Sequence, residues 1–510
     1  MKKLNLLRLF NNINIPLLIF LVFFLNVKFV VKLFAIVFMI IYHKNLLFGF
    51  SLKKSRLPLF YLLIILIEII KYLLITHDYS LNYSLVFCMG ILQWAMCILA
   101  IHYIKLNIDQ NYISTTHNTI KLFFLLNFLV SLFFLLILLI HPSWLSFWGH
   151  APDVSFSNPS AGDTILGISF DVSTVNATIN CIGLIYFLYK KEYLFGFLSI
   201  LTVVLCTSNV TFFLTTGILV LMIVTVRQKR LRIAVILSVL SLILLYSAYS
   251  SKNREYIRNY FVQLYITNKD QSLILDTQVY HLRVGDSIIT LRNVVEIKST
   301  NPDSIYSFSN KKLEKAIGNF ISLKEFKEND SGFVDIPEDI YETRPGKFIS
   351  FVQTYFYLKS NLKHLLFGSG IGDFSSKLAF RASGVNALGT YPEKYKHTSQ
   401  DFRNNHLRTY LFYKHADASK HSVLNYPFSV YNQILGEYGL IGAIIFAIFY
   451  LGYFISKYHR LSYGRYLIII LLGFFLMEYW FEFFSLIIIF ELLMLLNIKE
   501  GREIIVPAPK

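Results

Sequence analysis

The amino-acid sequence predicts an all-α polytopic membrane protein of about twelve transmembrane helices, with one large extracytoplasmic loop carrying helices and a small β-hairpin. Three observations lead there. Only 15% of the 510 residues are charged, against roughly a quarter in a soluble chain, too few to cover a water-facing surface in the usual way. The 55% that are hydrophobic gather in runs long enough to span a bilayer. Lys and Arg cluster in every other connection between those runs, as they do on the cytoplasmic side of membrane proteins. A soluble enzyme, a disordered chain, a collagen and a coiled coil are all excluded.

The apolar runs fall at 13–27, 29–43, 57–75, 82–104, 119–140, 168–189, 193–207, 210–226 and 231–249, then at 428–455, 466–480 and 483–497. The basic start MKKLNLLR resembles a signal peptide, but no small-residue cleavage site follows it, and Lys28 and Lys32 interrupt the run; it reads as a retained first span. With the N-terminus inside, the connections 1–8, 43–56, 105–121, 190–192, 227–232 and 456–465 and the tail 499–510 face the cytoplasm. Most of them carry basic clusters such as KKSR at 53–56 and RQKRLR at 227–232. The opposite connections 76–81, 141–163, 207–209 and 481–482 carry no Lys or Arg. The chain then divides into a membrane bundle 1–249, a large periplasmic or extracellular loop 250–427, C-terminal spans 428–497 and a cytoplasmic tail 498–510.

Within the loop, QVYHLRVGDSIITLRNVVEI at 278–297 alternates around Gly285-Asp286 and reads as a hairpin. From Gly346 to Phe367 the apolar spacing is helical, with Pro345 suited to the first helical position and Gly368 closing the segment. Such a helix either lies in the membrane interface or packs on top of the bundle. Charges inside spans are few: Glu68 and Lys71, read to the inner half of one helix, and Glu478, Glu482 and Glu491 near the last hairpin. Intramembrane charges are functional candidates by default, but Glu478 and Glu482 fall at the water-facing turn and are weighted toward a structural role.

The net charge of +17 follows from the basic cytoplasmic connections, and no basic run is interleaved with stacking aromatics as a nucleic-acid binder needs. Cys88, Cys97, Cys181 and Cys206 all lie in or beside apolar segments and make neither a disulfide framework nor a CxxC pair. Walker, HExxH and GxSxG motifs are missing, as are DxD or DD pairs at a membrane edge, so no metal or cofactor is expected.

The informative stretch runs from Arg344 to Gly442. An Arg precedes the surface helix, a glycine-rich turn follows with Gly368, Gly370, Gly372 and Phe374, and Leu435, Glu437, Gly439 and Gly442 open the next span. This order resembles the O-antigen polymerase and O-antigen ligase family of integral-membrane glycosyltransferases, over about 100 residues of motif and in the overall layout. A weaker likeness is GISFDVSTVNA at 167–177; the rest of the first 250 residues matches in topology alone.

The resemblance implies transfer of a glycan from an undecaprenyl-pyrophosphate carrier at the outer face of a bacterial inner membrane, without metal. Arg344 would then hold the phosphates, since a guanidinium forks onto two oxygens and keeps its charge when partly desolvated. Arg381, Arg403 and Arg408 are further phosphate or sugar contacts. The family's His-Asn pair falls here on Phe428-Ser429, which cannot do its chemistry. His421 is the first substitute as proton acceptor, an imidazole of pKa near about 6.5 being suited to that task. His415 and His406 come next, Asn432 and Gln433 supply amides, and Asp401 or Asp417 offers a carboxylate base.

With the His-Asn pair missing, the NQxLxExG form at 432–439 resembles the polymerase branch of the family, which implies a polymerase joining lipid-linked repeat units of O-antigen, capsule or exopolysaccharide, with a chain-length regulator as a possible partner. The alternatives are a ligase moving the glycan to lipid A core or another acceptor and, from another class, a transporter or flippase, which calls for internal repeats and broken helices.

Overall fold

A computed structural model describes residues 12–42, 56–74, 79–140, 165–249, 280–284, 287–291, 327–328, 334–335, 340–341, 344–385, 391–416 and 423–505. Every apolar run carries a helix. The first nine are α1 (Ile15–Phe24), α2 (Phe29–Tyr42), α3 (Arg56–Leu74), α4 (Leu81–Gln110), α5 (Ile113–Ile140), α6 (Ser173–Lys190), α7 (Tyr193–Leu205), α8 (Asn209–Thr225) and α9 (Lys229–Tyr249). Four helical stretches, Leu81–Gln110, Ile113–Ile140, Lys229–Tyr249 and Val430–Arg460, are long and apolar enough to cross a membrane by themselves; five more are apolar but shorter. This is the architecture of a helical multi-pass membrane protein.

Local chemistry starts the helices. Asn14 caps α1 by accepting from the Leu17 amide at 3.0 Å, with Pro16 in the first turn where its missing N–H costs nothing. Ser80 and Ser208 cap α4 and α8 in the same way. Helix α6 is buried along nearly its whole length and runs through the interior of the bundle. Between α5 and α6, Gly167 takes φ +61°, and a Cβ there would meet Asn127 and Asn176 side-chain atoms at 2.5 Å. Those two asparagines bond each other at 2.8 Å, and Asn127 also accepts from the Ile168 amide, so a buried polar network fixes the entry to α6.

The C-terminal part of the long loop carries α10 (Gly346–Ser360), α11 (Leu362–Phe367), α12 (Lys377–Ala382) and α13 (Arg408–His415). They are followed by α14 (Val430–Ile445), which continues through a wide turn to Ile455, then α15 (Gly464–Met477) and α16 (Phe484–Ile505). The helix expected over 346–367 is split. Asn361 is extended (φ −153°, ψ 139°), and its side chain caps the Lys363 amide at 2.8 Å to restart the helix. Pro345 is the residue before α10, at ψ 138°, rather than its first helical position. Most of α10 is buried, so it packs on its neighbours and does not lie on the membrane surface with one face free.

Residues 254–327 form a separate unit. Within it, β1 (Tyr280–Val284) pairs antiparallel with β2 (Ser287–Leu291), Val284 opposite Ser287 across Gly285-Asp286.

Candidate functional site

The glycine-rich turn and the opening of α14 lie more than 60 residues apart in sequence and interlock in the fold. Three glycines, at φ +67° (368), +124° (370) and +76° (372), bend 368–372 into a shape that side-chain-bearing residues rarely adopt. Helix α14 is itself broken at Gly439, at φ 66° and ψ −164°. The turn fills that break: the Ser369 amide donates to the Gly436 carbonyl at 2.8 Å and the Gly370 amide to the Glu437 carbonyl at 3.1 Å. Contact is backbone to backbone, since a Cβ at Gly368 would sit 2.5 Å from the Glu437 carbonyl carbon and one at Gly439 2.5 Å from that of Leu366.

The intrahelical charges of α3 complete this lock. Lys71 Nζ donates to the carbonyls of Phe367 (2.7 Å) and Glu437 (3.0 Å), and Glu68 accepts from the Ile371 amide at 3.0 Å. Both side chains are buried, 3.9 Å apart. They lie within two turns of the C-terminal end of α3 at Leu74, against the glycine-rich turn. A break inside a buried helix leaves carbonyls that must find donors, and here an ammonium supplies them.

Beyond the turn, acid–imidazole couples flank the same end of the bundle. His397 Nε2 lies 2.8 Å from Asp373 Oδ1, with side-chain exposures of 9% and 13%. Burial raises the Asp373 carboxyl above its usual range, opposed by the adjacent His397. Asp401 is likewise raised by burial, with His364 opposing, while burial lowers His364, which stacks on Tyr357 at 4.4 Å. Carboxylates and imidazoles at this exposure can exchange protons with a bound hydroxyl. Among the described residues, no three His, Cys, Asp or Glu side chains converge as they would around a metal ion.

The residues singled out in the sequence fall in several places. His406 is fully buried: Nδ1 lies 2.6 Å from Ser375 Oγ, and Nε2 3.0 Å from the Ser350 carbonyl and 3.2 Å from Thr354 Oγ1. The carbonyl can only accept, which assigns the proton to Nε2 and makes Nδ1 the acceptor from Ser375. Burial pushes the His406 pKa down to about 3. Asn432 joins the same network, donating to Ser350 Oγ at 3.0 Å and accepting from Thr354 Oγ1 at 3.0 Å. The fold thus brings a histidine and an asparagine together, as an enclosed scaffold beneath the turn.

Gln433 is buried, and its Oε1 has no hydrogen-bond partner among the described residues. Arg344 is half-buried beside α10, its carbonyl accepting from Tyr413 at 2.7 Å. Arg403 and Arg408 are exposed, and Arg381 is half-buried on α12, its Nε without a hydrogen-bond partner among the described residues. His421 and Asp417 lie outside the described residues.

Two further contacts tie the site to the bundle. Glu482 accepts from the amides of Lys377 and Leu378, capping α12, and so takes the structural part. Lys377 Nζ pairs with Asp171 at 3.4 Å, bringing the GISFDVSTVNA segment against the loop. Sequence reasoning missed Asp373 and His397. Asp373 follows the last glycine of the turn and could have been found there, whereas nothing in the spacing links it to His397. No family model, curated protein or solved structure matches this chain.

Proposed function

We propose that the chain is a membrane glycosyltransferase that polymerises undecaprenyl-pyrophosphate-linked oligosaccharide repeat units at the outer face of a bacterial inner membrane. The observation that carries this reading is the docking of the glycine-rich turn into the break at Gly439, which sets acid–imidazole couples at the end of the bundle where the long loop emerges.

In the reaction, a hydroxyl of one repeat unit attacks the anomeric carbon of a second glycan held on its lipid pyrophosphate. The new glycosidic bond forms as the bond from carbon to phosphate oxygen breaks, and the lipid pyrophosphate leaves with the electron pair. His397, oriented by Asp373, takes the proton of the attacking hydroxyl in this account, with His421 as the alternative acceptor. Arg344 balances the charge that develops on the leaving pyrophosphate.

A transporter reading draws on the broken helix, since discontinuous helices mark many transport sites. Here, though, the loop backbone and Lys71 occupy the break, bonding the Gly436 and Glu437 carbonyls. Complementing a deletion strain with Arg344→Ala and with His397→Gln tests the proposal. Loss of polymer with the protein still present in the membrane at wild-type level is expected from both. Full-length polymer from Arg344→Ala contradicts the phosphate role.

A further inference from the structure

A second site lies well away from the turn, between α7 and α9. An open groove of about 550 Å3 lies along their flanks. Its walls are apolar, with Tyr193 and Phe197 from α7 and Ile233 and Leu237 from α9, and all four side chains are more than 40% exposed. Gly196 and the small side chain of Ala234 line it too.

One charged residue lines the groove. Arg230 sits in the first turn of α9, is exposed, and makes no hydrogen bond or ion pair among the described residues. Its neighbour Arg232 is already committed, folding back onto the Val226 carbonyl through Nε and a terminal nitrogen at 3.1 and 2.8 Å. Glu192, the acidic residue just before α7, is matched by Lys121 and His117 at 3.3 Å. An uncommitted guanidinium therefore stands at the mouth of an apolar slot.

The dimensions match one leaflet. The groove reaches from Arg230 to Ser241, and at about 1.5 Å per helical residue that is roughly 16 Å, close to half of an about 30 Å hydrocarbon core. We infer that this groove binds one anionic glycerophospholipid from the leaflet facing the RQKRLR turn, an acyl chain lying between α7 and α9 and the phosphate on Arg230. Apolar length selects a lipid over a free phosphate, and the guanidinium selects an anionic headgroup over a zwitterionic one. The inference is independent of glycosyl transfer.

The test uses the full chain purified in detergent, with phosphatidylglycerol or phosphatidylcholine of the same acyl chains added back and retention read by native mass spectrometry. Phosphatidylglycerol is expected to be held roughly fivefold more strongly, and Arg230→Ala should erase that preference. Ala234→Phe, which fills the slot, should weaken retention of both lipids. Equal retention of the two lipids by the wild-type chain overturns the proposal without recourse to any variant. An unchanged preference in a folded Arg230→Ala protein overturns it as well.

Discussion

His406 and Lys71 show how the site is held from beneath. An imidazole enclosed by Ser375, Ser350 and Thr354 is bound as the neutral ring, and burial keeps its pKa near about 3, well below the about 6.5 of an unfolded histidine. A lowered pKa contributes stability that is present above pH 6.5 and is lost as pH falls toward 3, because only the unfolded chain takes up the proton. Thermal unfolding of the purified protein at pH 7.5 and pH 4.5 should therefore show a smaller acid penalty for His406→Gln than for wild type. The variant is also expected to lose about 1–3 kcal/mol at neutral pH through the loss of its buried hydrogen bonds to the Ser375 hydroxyl and the Ser350 carbonyl. Lys71→Met should cost about 3–5 kcal/mol, since it strips the donor from two buried carbonyls and the counter-charge from Glu68; adding Glu68→Gln should recover part of that loss. At this scale the sequence was only partly legible. Arg344 and the glycines stand out by type and order, but the pairing of Asp373 with His397 depends on a chain reversal that no periodicity records.

The helices were the most legible elements, because a bilayer demands long apolar runs and those runs are visible as hydropathy alone. The interruptions were not. Asn361 splits α10 from α11 by capping chemistry inside an otherwise helical pattern, and Gly439 breaks α14 within an apolar run that reads as continuous. The reason for the second break is tertiary: it exists because the turn at 368–372 occupies it. Gly439→Ala should then cost at least about 2 kcal/mol, from a positive φ and from contact with the Leu366 backbone that cannot move aside. Gly217→Ala in α8 has open space around it and should leave stability within about 0.5 kcal/mol of wild type. Thermal or denaturant unfolding of the two variants side by side checks both expectations. A Gly439→Ala protein as stable as Gly217→Ala would remove the interlock as the organising feature of the site.

Among the described residues, nine helices precede the long loop, and α14, α15 and α16 follow it. The segments that resemble glycosyltransferase motifs come from both sides of that division and from the loop itself: Asp171 before α6, the turn at 368–372, and Glu437 in α14. On the proposed function, their convergence at one end of the bundle would let the lipid of the substrate stay in the bilayer while its glycan reaches the loop. The most direct measurement is the surface-glycan profile of a deletion strain on a gel, with lipid-linked intermediates extracted from the same cells. The account predicts core carrying a single repeat unit, the ladder of longer chains gone, and restoration of the ladder by the wild-type gene. Bare core with long glycan accumulating on the lipid carrier would contradict it and assign the chain to ligation instead.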